Sequence, residues 1–205
     1  DAYSYPGVDN QAKEKAACGC KACKTEDLRI KGKSDAEDDK KVEDILSAFF
    51  KRHSRSIIPK VNATPSDFWN EERWNKELAD DLEPALSQIA KKHGEEAAEV
   101  MASEYSTDLT KNYIRKAAEK RAERINKNTL DAIEEDLNQE EPDTAHVFEV
   151  RENAAGRLAK SAAGAIASFA IAEAAHQAVS EGAPRDVGRI VEKEWVTGEN
   201  ARPSH

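Results

Sequence analysis

Three cysteines near the start of the chain are the residues best suited to hold a metal ion. Cys18, Cys20 and Cys23 lie within six residues of one another, and closely spaced thiolates are typical zinc ligands. A structural zinc site needs four ligands, and no histidine lies near enough in the sequence to supply the fourth. The odd number of cysteines also argues against a disulfide framework. We therefore predict no cofactor, and the cysteines leave zinc open as the alternative.

A cluster of basic side chains is the second group of residues that could bind a ligand. The chain as a whole is acidic, with 31 Lys and Arg against 40 Asp and Glu and a net charge of −9. An acidic chain is a poor general binder of nucleic acid, so any such contact needs a local excess of cations. The segment 111–127 has that excess, and its candidate contacts to DNA or to an acidic partner are Lys111, Arg115, Lys120, Arg121 and Arg124. The alternative is a solvated helix whose cations pair with local carboxylates.

The sequence contains no recognisable catalytic motif. Glu173 and His176 have the Glu-x-x-His spacing of di-iron bundles, but such sites need two of these motifs and two further glutamates. His93 lies beside Gly94, where we expect it to meet the negative end of a helix dipole. A glycine-rich phosphate loop, a nucleophile elbow and a His-Glu-x-x-His motif are all missing from the sequence. We therefore predict that the protein is not an enzyme.

Helices account for most of the apolar pattern. Val42, Leu46 and Phe49 begin a stripe of helical spacing that should end near Ile57, before a proline. The run 64–67, Thr-Pro-Ser-Asp, predicts the start of a second helix, which Pro84 should kink or restart and Gly94 should end. The pattern predicts further helices from about residue 109 to 137 and over 149–181, the latter with a mostly alanine face that should pack closely on a neighbouring helix. No uninterrupted apolar run reaches the length of a membrane span.

The two ends of the chain look different from this helical middle. Residues 1–38 lack a sustained apolar period and predict an extended arm. Residues 187–197 are rich in β-branched and aromatic side chains, and the following Gly198-Glu199-Asn200 predicts a turn. The predicted fold is therefore mainly α, a multi-helix domain with long helices, an extended N-terminal arm and a small C-terminal β-hairpin. We divide the chain into an arm (1–38), a helical region (39–138) and a segment of helix plus strand or hairpin (139–205).

The last residues carry the most specific pattern in the chain. Lys193-x-Trp195-Val-Thr, a polar turn and then Arg202-Pro-Ser-His205 resemble the C-terminal signature of the Mu F-like phage head morphogenesis family. The resemblance covers about residues 150–205. Within it, the run 157–161, Arg-Leu-Ala-Lys-Ser, stands where the family has an Arg followed by an Arg-Thr pair. Gly182 stands at the family's break, and Glu199 at the acidic position of the turn.

The resemblance implies a structural function. Members of this family are minor capsid proteins, sometimes fused behind a phage portal protein. We therefore expect a virion protein that acts in procapsid assembly near the portal vertex through helix and hairpin interfaces, with Lys193, Trp195, Arg202 and His205 in partner contacts or in the hairpin itself. The implied partners are the portal ring and the major capsid protein, with a ring homo-oligomer and contact with packaged DNA. The expected location is the phage head, and the host cytoplasm during assembly, with no membrane partner.

Overall fold

A computed structural model describes residues 34–61 and 68–181 of the chain. Within these ranges the chain forms four long α-helices. They are α1 (Ala36–Ile57), α2 (Glu71–Val100), α3 (Lys111–Leu137) and α4 (Thr144–Ser180). Short 3₁₀ turns at Ile58–Lys60 and Thr107–Leu109 follow α1 and precede α3. The predicted helical content is therefore confirmed, and α1 already begins within the last residues of the predicted arm.

Polar side chains cap three of these helices at their N-termini. The Asp35 carboxylate accepts hydrogen bonds from the backbone N–H groups of residues 37 and 38 at the start of α1. The Asn70 side chain does the same for Arg73 at the start of α2, and the Asp143 side chain for His146 at the start of α4. The first N–H groups of a helix have no partner within the helix, and such caps satisfy them.

All four helices contribute to one hydrophobic cluster. Its large side chains include Phe49 and Phe50 of α1, Trp74 of α2 and Phe148 of α4. Helix α4 packs against the other three helices. Each helix thus buries an apolar stripe against its neighbours, which is the main source of stability for amphipathic helices.

The alanine face of α4 is buried within the chain itself. Ala159, Ala163 and Ala170 are fully buried in the main cluster. Ala174 and Ala178, farther along α4, pack in a smaller cluster with Ala97 and Ala98 of α2. The prediction of close packing on a neighbouring helix is confirmed, because small side chains let two helix backbones approach. This face is therefore occupied by the chain's own helices.

By length and composition, α4 also meets the criteria for a helix that could cross a membrane. Its apolar window has a mean hydropathy of 1.2, and half of that window is buried inside the helical body. A core helix that packs on three others passes the same test.

Two predictions for α2 are wrong, because Gly94 does not end the helix and Pro84 does not restart it. Gly94 lies inside the helix because its missing Cβ makes room for a ring: a Cβ there would lie 2.3 Å from Tyr105. His93 is therefore not at a helix end. Pro84 also lies inside the helix, on the exposed face, where water can satisfy the carbonyl group that proline leaves unpaired.

The predicted fold class is wrong in its β component. The described ranges contain helices and turns but no strand, so the small C-terminal β-hairpin is not supported. Residues 187–205, on which it was predicted, lie outside those ranges. The physical reason is that an isolated two-stranded hairpin is marginal in water, and the described part of the fold offers it no sheet to join. Residues 64–67, at which the second helix was predicted to start, also lie outside the described ranges, and α2 begins only at Glu71, after the Asn70 cap.

Candidate functional site

A groove lies between α3 and α4 in the described part of the chain. It encloses about 320 Å³, and its wall is part polar and part apolar. Its polar lining comes from both helices and consists of Lys120, Arg121, Arg124, Asn128, Arg151 and Ser161. The apolar side chains that line it include Leu86, Ala117, Ile125, Leu158 and Ile166.

Four cations meet in this groove. Lys120, Arg121 and Arg124 share one face of α3, because residues three and four apart are neighbours on a helix surface. Arg151 reaches the same groove from α4. Lys120 and Arg124 are exposed, whereas Arg121 and Arg151 are half-buried. The groove therefore concentrates positive charge on a chain whose net charge is −9.

The groove cations bond to neutral groups. Arg121 donates to the hydroxyl and carbonyl oxygens of Ser161 at 3.5 and 3.4 Å, and Arg151 donates to the carbonyl oxygen of Asn128. Within residues 34–61 and 68–181, none of the four cations has a carboxylate within 4.0 Å, although Lys and Arg side chains form thirteen such ion pairs there.

The position of Arg121 and Arg151 in the groove makes their charged forms less favourable. Burial lowers the pKa of Arg121, and the nearby charge of Arg124 lowers it further. Burial also lowers the pKa of Arg151, while Asp131 acts in the opposite direction. Both arginines stay charged at neutral pH, because an arginine loses its proton only at a pH far above 7. An anion bound among them would relieve the repulsion and replace lost hydration.

One end of the groove is aromatic. Tyr113 lines it and stacks on Phe169 of α4, with ring centroids 3.6 Å apart and planes inclined by 13°. Tyr113 is 48% exposed. The groove thus combines cations, an apolar floor and a partly exposed aromatic ring.

The predicted basic helix divides into two parts. Lys111 pairs with Asp108 at 2.6 Å and Arg115 with Glu119 at 3.1 Å, and neither lines the groove. Lys120, Arg121 and Arg124 do line it. The sequence analysis missed Arg151 and Tyr113, and no local signal identifies Arg151, because it lies on another helix.

Most other predicted site residues lie outside the described ranges. These are Cys18, Cys20 and Cys23 at one end, and Lys193, Trp195, Arg202 and His205 at the other. Within the described ranges no group of three or more metal-ligating side chains is found. From the family-like run 157–161, Leu158 and Ser161 line the groove, while Arg157 and Lys160 are exposed.

A second charged cluster joins α1 to α2 and is fully partnered. The His93 Nε2 lies 2.7 Å from the buried carboxylate of Asp38. Lys92 contacts the carboxylates of both Asp35 and Asp38. The Lys92 hydrogen bond, followed by backbone N–H donors, lowers the pKa of Asp35 to about 2. This Asp35–Asp38–Lys92–His93 cluster explains the position of His93 without any catalytic role.

Comparison of the chain with protein-family models, with curated proteins and with solved structures finds no match.

Proposed function

We propose that this chain is a structural protein of a phage head, a minor capsid or portal-associated component that acts in procapsid assembly. The observation that carries the proposal is the C-terminal pattern, Lys193-x-Trp195-Val-Thr followed by Arg202-Pro-Ser-His205. Its resemblance to the Mu F-like signature extends into α4, where Arg157, Lys160 and Ser161 stand at family positions. The proposed location is the virion, and the proposed partners are the portal ring and the major capsid protein.

The described residues indicate what kind of component this would be. The alanine face of α4 is already covered by α1, α2 and α3, so it does not supply an interface to other subunits. Contacts with a portal or capsid protein must use the outer surfaces of the helices or the residues beyond α4. The helical body would then serve as a folded unit that the terminal segments attach to the head.

Quantitative mass spectrometry of purified particles tests this proposal. Copies of the chain are counted against the major capsid protein in particles separated from the lysate. A component of one closed ring would be present at a small fixed number, about twelve for a portal-type vertex. If the chain is abundant in the lysate but missing from particles, the proposal is wrong.

A variant sharpens the same experiment. Trp195→Ala removes the large apolar anchor of the motif and should lower the number of copies in particles about tenfold, because large aromatic anchors dominate interface energies. The amount of the variant in the lysate should stay unchanged, which separates failed incorporation from failed folding. Normal incorporation of this variant would show that the motif is not needed for entry into the particle.

A further inference from the structure

We propose that the groove between α3 and α4 binds a single-stranded nucleic acid, with its phosphates on the four cations and a base against Tyr113. The inference is independent of the proposed role in a phage head. Three observations carry it: cations without a carboxylate partner among the described residues, the apolar floor of the groove and its aromatic end.

The charges identify the ligand as an anion. On α3 itself, Lys111 and Arg115 are neutralised by acidic neighbours, whereas Lys120, Arg121 and Arg124 have no carboxylate within 4.0 Å among the described residues. Arg151 adds a fourth charge from across the groove. Like charges brought together in a half-buried site destabilise one another, and a bound anion reverses that effect.

Neither terminal segment carries an excess of negative charge that would favour it as this anion. Residues 1–33 contain more basic than acidic residues, and residues 182–205 contain equal numbers of both. We therefore assign the anion to a separate molecule.

The chemistry of the four cations favours phosphate as the anion. Three of the four cations are arginines, whose planar fork matches two phosphate oxygens at once.

The remaining features favour a single strand over a duplex. Binding sites for single strands combine a positive groove with aromatic rings on which unpaired bases stack. Tyr113 is half-exposed at the end of the groove, and Ala117, Leu158 and Ile166 give it an apolar floor. The bases of a duplex are stacked inside and cannot reach such a floor, so a duplex would use the phosphate contacts alone.

Fluorescence anisotropy with the full chain and a labelled oligothymidylate of about 12 nucleotides tests this inference. Binding should weaken steeply between about 50 and 200 mM salt. The double variant Lys120→Gln with Arg124→Gln should lower the affinity at least about tenfold. It should also reduce the slope of log K against log salt by about 1.4, because two single-strand phosphate contacts are lost.

A matched control lies on the same helix. Lys111→Gln with Arg115→Gln removes the same two charges outside the groove and should change the affinity less than about threefold, since long-range attraction alone is affected. A third variant, Tyr113→Leu, should lower the affinity at least about fivefold through lost stacking. Circular dichroism should show unchanged helix content in all three variants.

Several outcomes would overturn the inference. Among them are no binding at low salt and an equal loss of affinity in the groove and control variants. Binding of a duplex of the same length as tightly as the single strand would overturn the assignment to a single strand. Tighter binding of polyglutamate would identify an acidic protein as the ligand instead.

Discussion

The Asp35–Asp38–Lys92–His93 cluster and the α3–α4 groove both bring charged side chains together at a contact between helices, but they differ in how the charges are balanced. In the cluster, two carboxylates face a lysine and a histidine, and the contact between Asp38 and His93 is buried. In the groove, Arg121 and Arg151 donate hydrogen bonds to neutral oxygens, and none of the four cations has a carboxylate within 4.0 Å in the described ranges. We expect a cluster whose carboxylates and donors are paired to stabilise the fold, and a cluster of cations without carboxylates to be stabilised by a ligand. This difference predicts which substitutions change stability and which change binding.

The largest expected effect on stability concerns His53, a buried base with no hydrogen-bond partner among the described residues. Both of its ring nitrogens lack a hydrogen bond among the described residues, and Phe49, Trp69, Trp74 and Phe148 surround it. Burial, and secondarily the charge of Arg73, lowers the pKa of His53 to about 3. The unfolded chain, with an ordinary histidine pKa of about 6.5, therefore binds a proton that the folded chain refuses.

This difference makes stability depend on pH in a defined direction. Stability should fall as the pH drops below about 6.5, and the loss due to His53 should reach about 3 kcal/mol by about pH 4. His53→Leu should be close to neutral at pH 7 and should remove this part of the pH dependence. Urea unfolding of both proteins at several pH values measures it. Parallel pH profiles for the two proteins would contradict the prediction.

Removing the centre of the Asp35–Asp38–Lys92–His93 cluster should have the next largest effect on stability. Asp38→Ala takes the carboxylate from His93 and Lys92, and should lower the free energy of unfolding by about 2–3 kcal/mol because buried donors lose their acceptor. Asp44→Ala, on the same helix, removes an exposed partner of Lys40 and should change it by less than about 0.5 kcal/mol. Equal effects of the two substitutions in urea unfolding would show that the cluster is not structural. Oligonucleotide binding should be normal in both variants.

The smallest effect on stability is expected in the groove. Arg124→Gln removes a charge that repels Arg121 and should leave the free energy of unfolding within about 0.5 kcal/mol, or raise it slightly. The paired arginine Arg52 is the matched control, because it contacts the carboxylates of Glu77 and Asp81. Arg52→Gln should cost up to about 1 kcal/mol, a modest amount because these groups are partly exposed to solvent. If Arg124→Gln is the more destabilising of the two in thermal melts, the groove cations stabilise the fold, which would contradict the prediction.

The sequence predicted the helical content well because apolar periodicity is a local property. The stripe of Val42, Leu46 and Phe49 and the helix predicted from about residue 109 to 137 both follow from neighbours within one or two turns. Breaks were harder to predict. A glycine is typical of a helix end, but Gly94 lies inside α2. Its missing Cβ leaves room there for the ring of Tyr105. The β-hairpin failed as a prediction for a similar reason, since strand propensity needs a sheet to act on.

The groove could be predicted only in part. The excess of basic residues on α3 is visible in the sequence, but the sequence does not show which of them are neutralised. Lys111 and Arg115 find carboxylates one turn away, and Lys120 and Arg124 do not. Arg151 is brought to the groove by the packing of α4, a tertiary contact between segments that no local pattern contains. A count of charges therefore identified the helix, and only the structure identified the site.

The most direct test of this comparison is an NMR titration of the arginine side-chain Nε–Hε signals with oligothymidylate. The signals of Arg121, Arg124 and Arg151 should shift together as the oligonucleotide is added, because these groups lie in one groove. The signals of Arg52, Arg73 and Arg115, whose charges are partnered within the chain, should stay in place. Equal shifts of Arg115 and Arg124, or no shift at the groove arginines, would contradict the account.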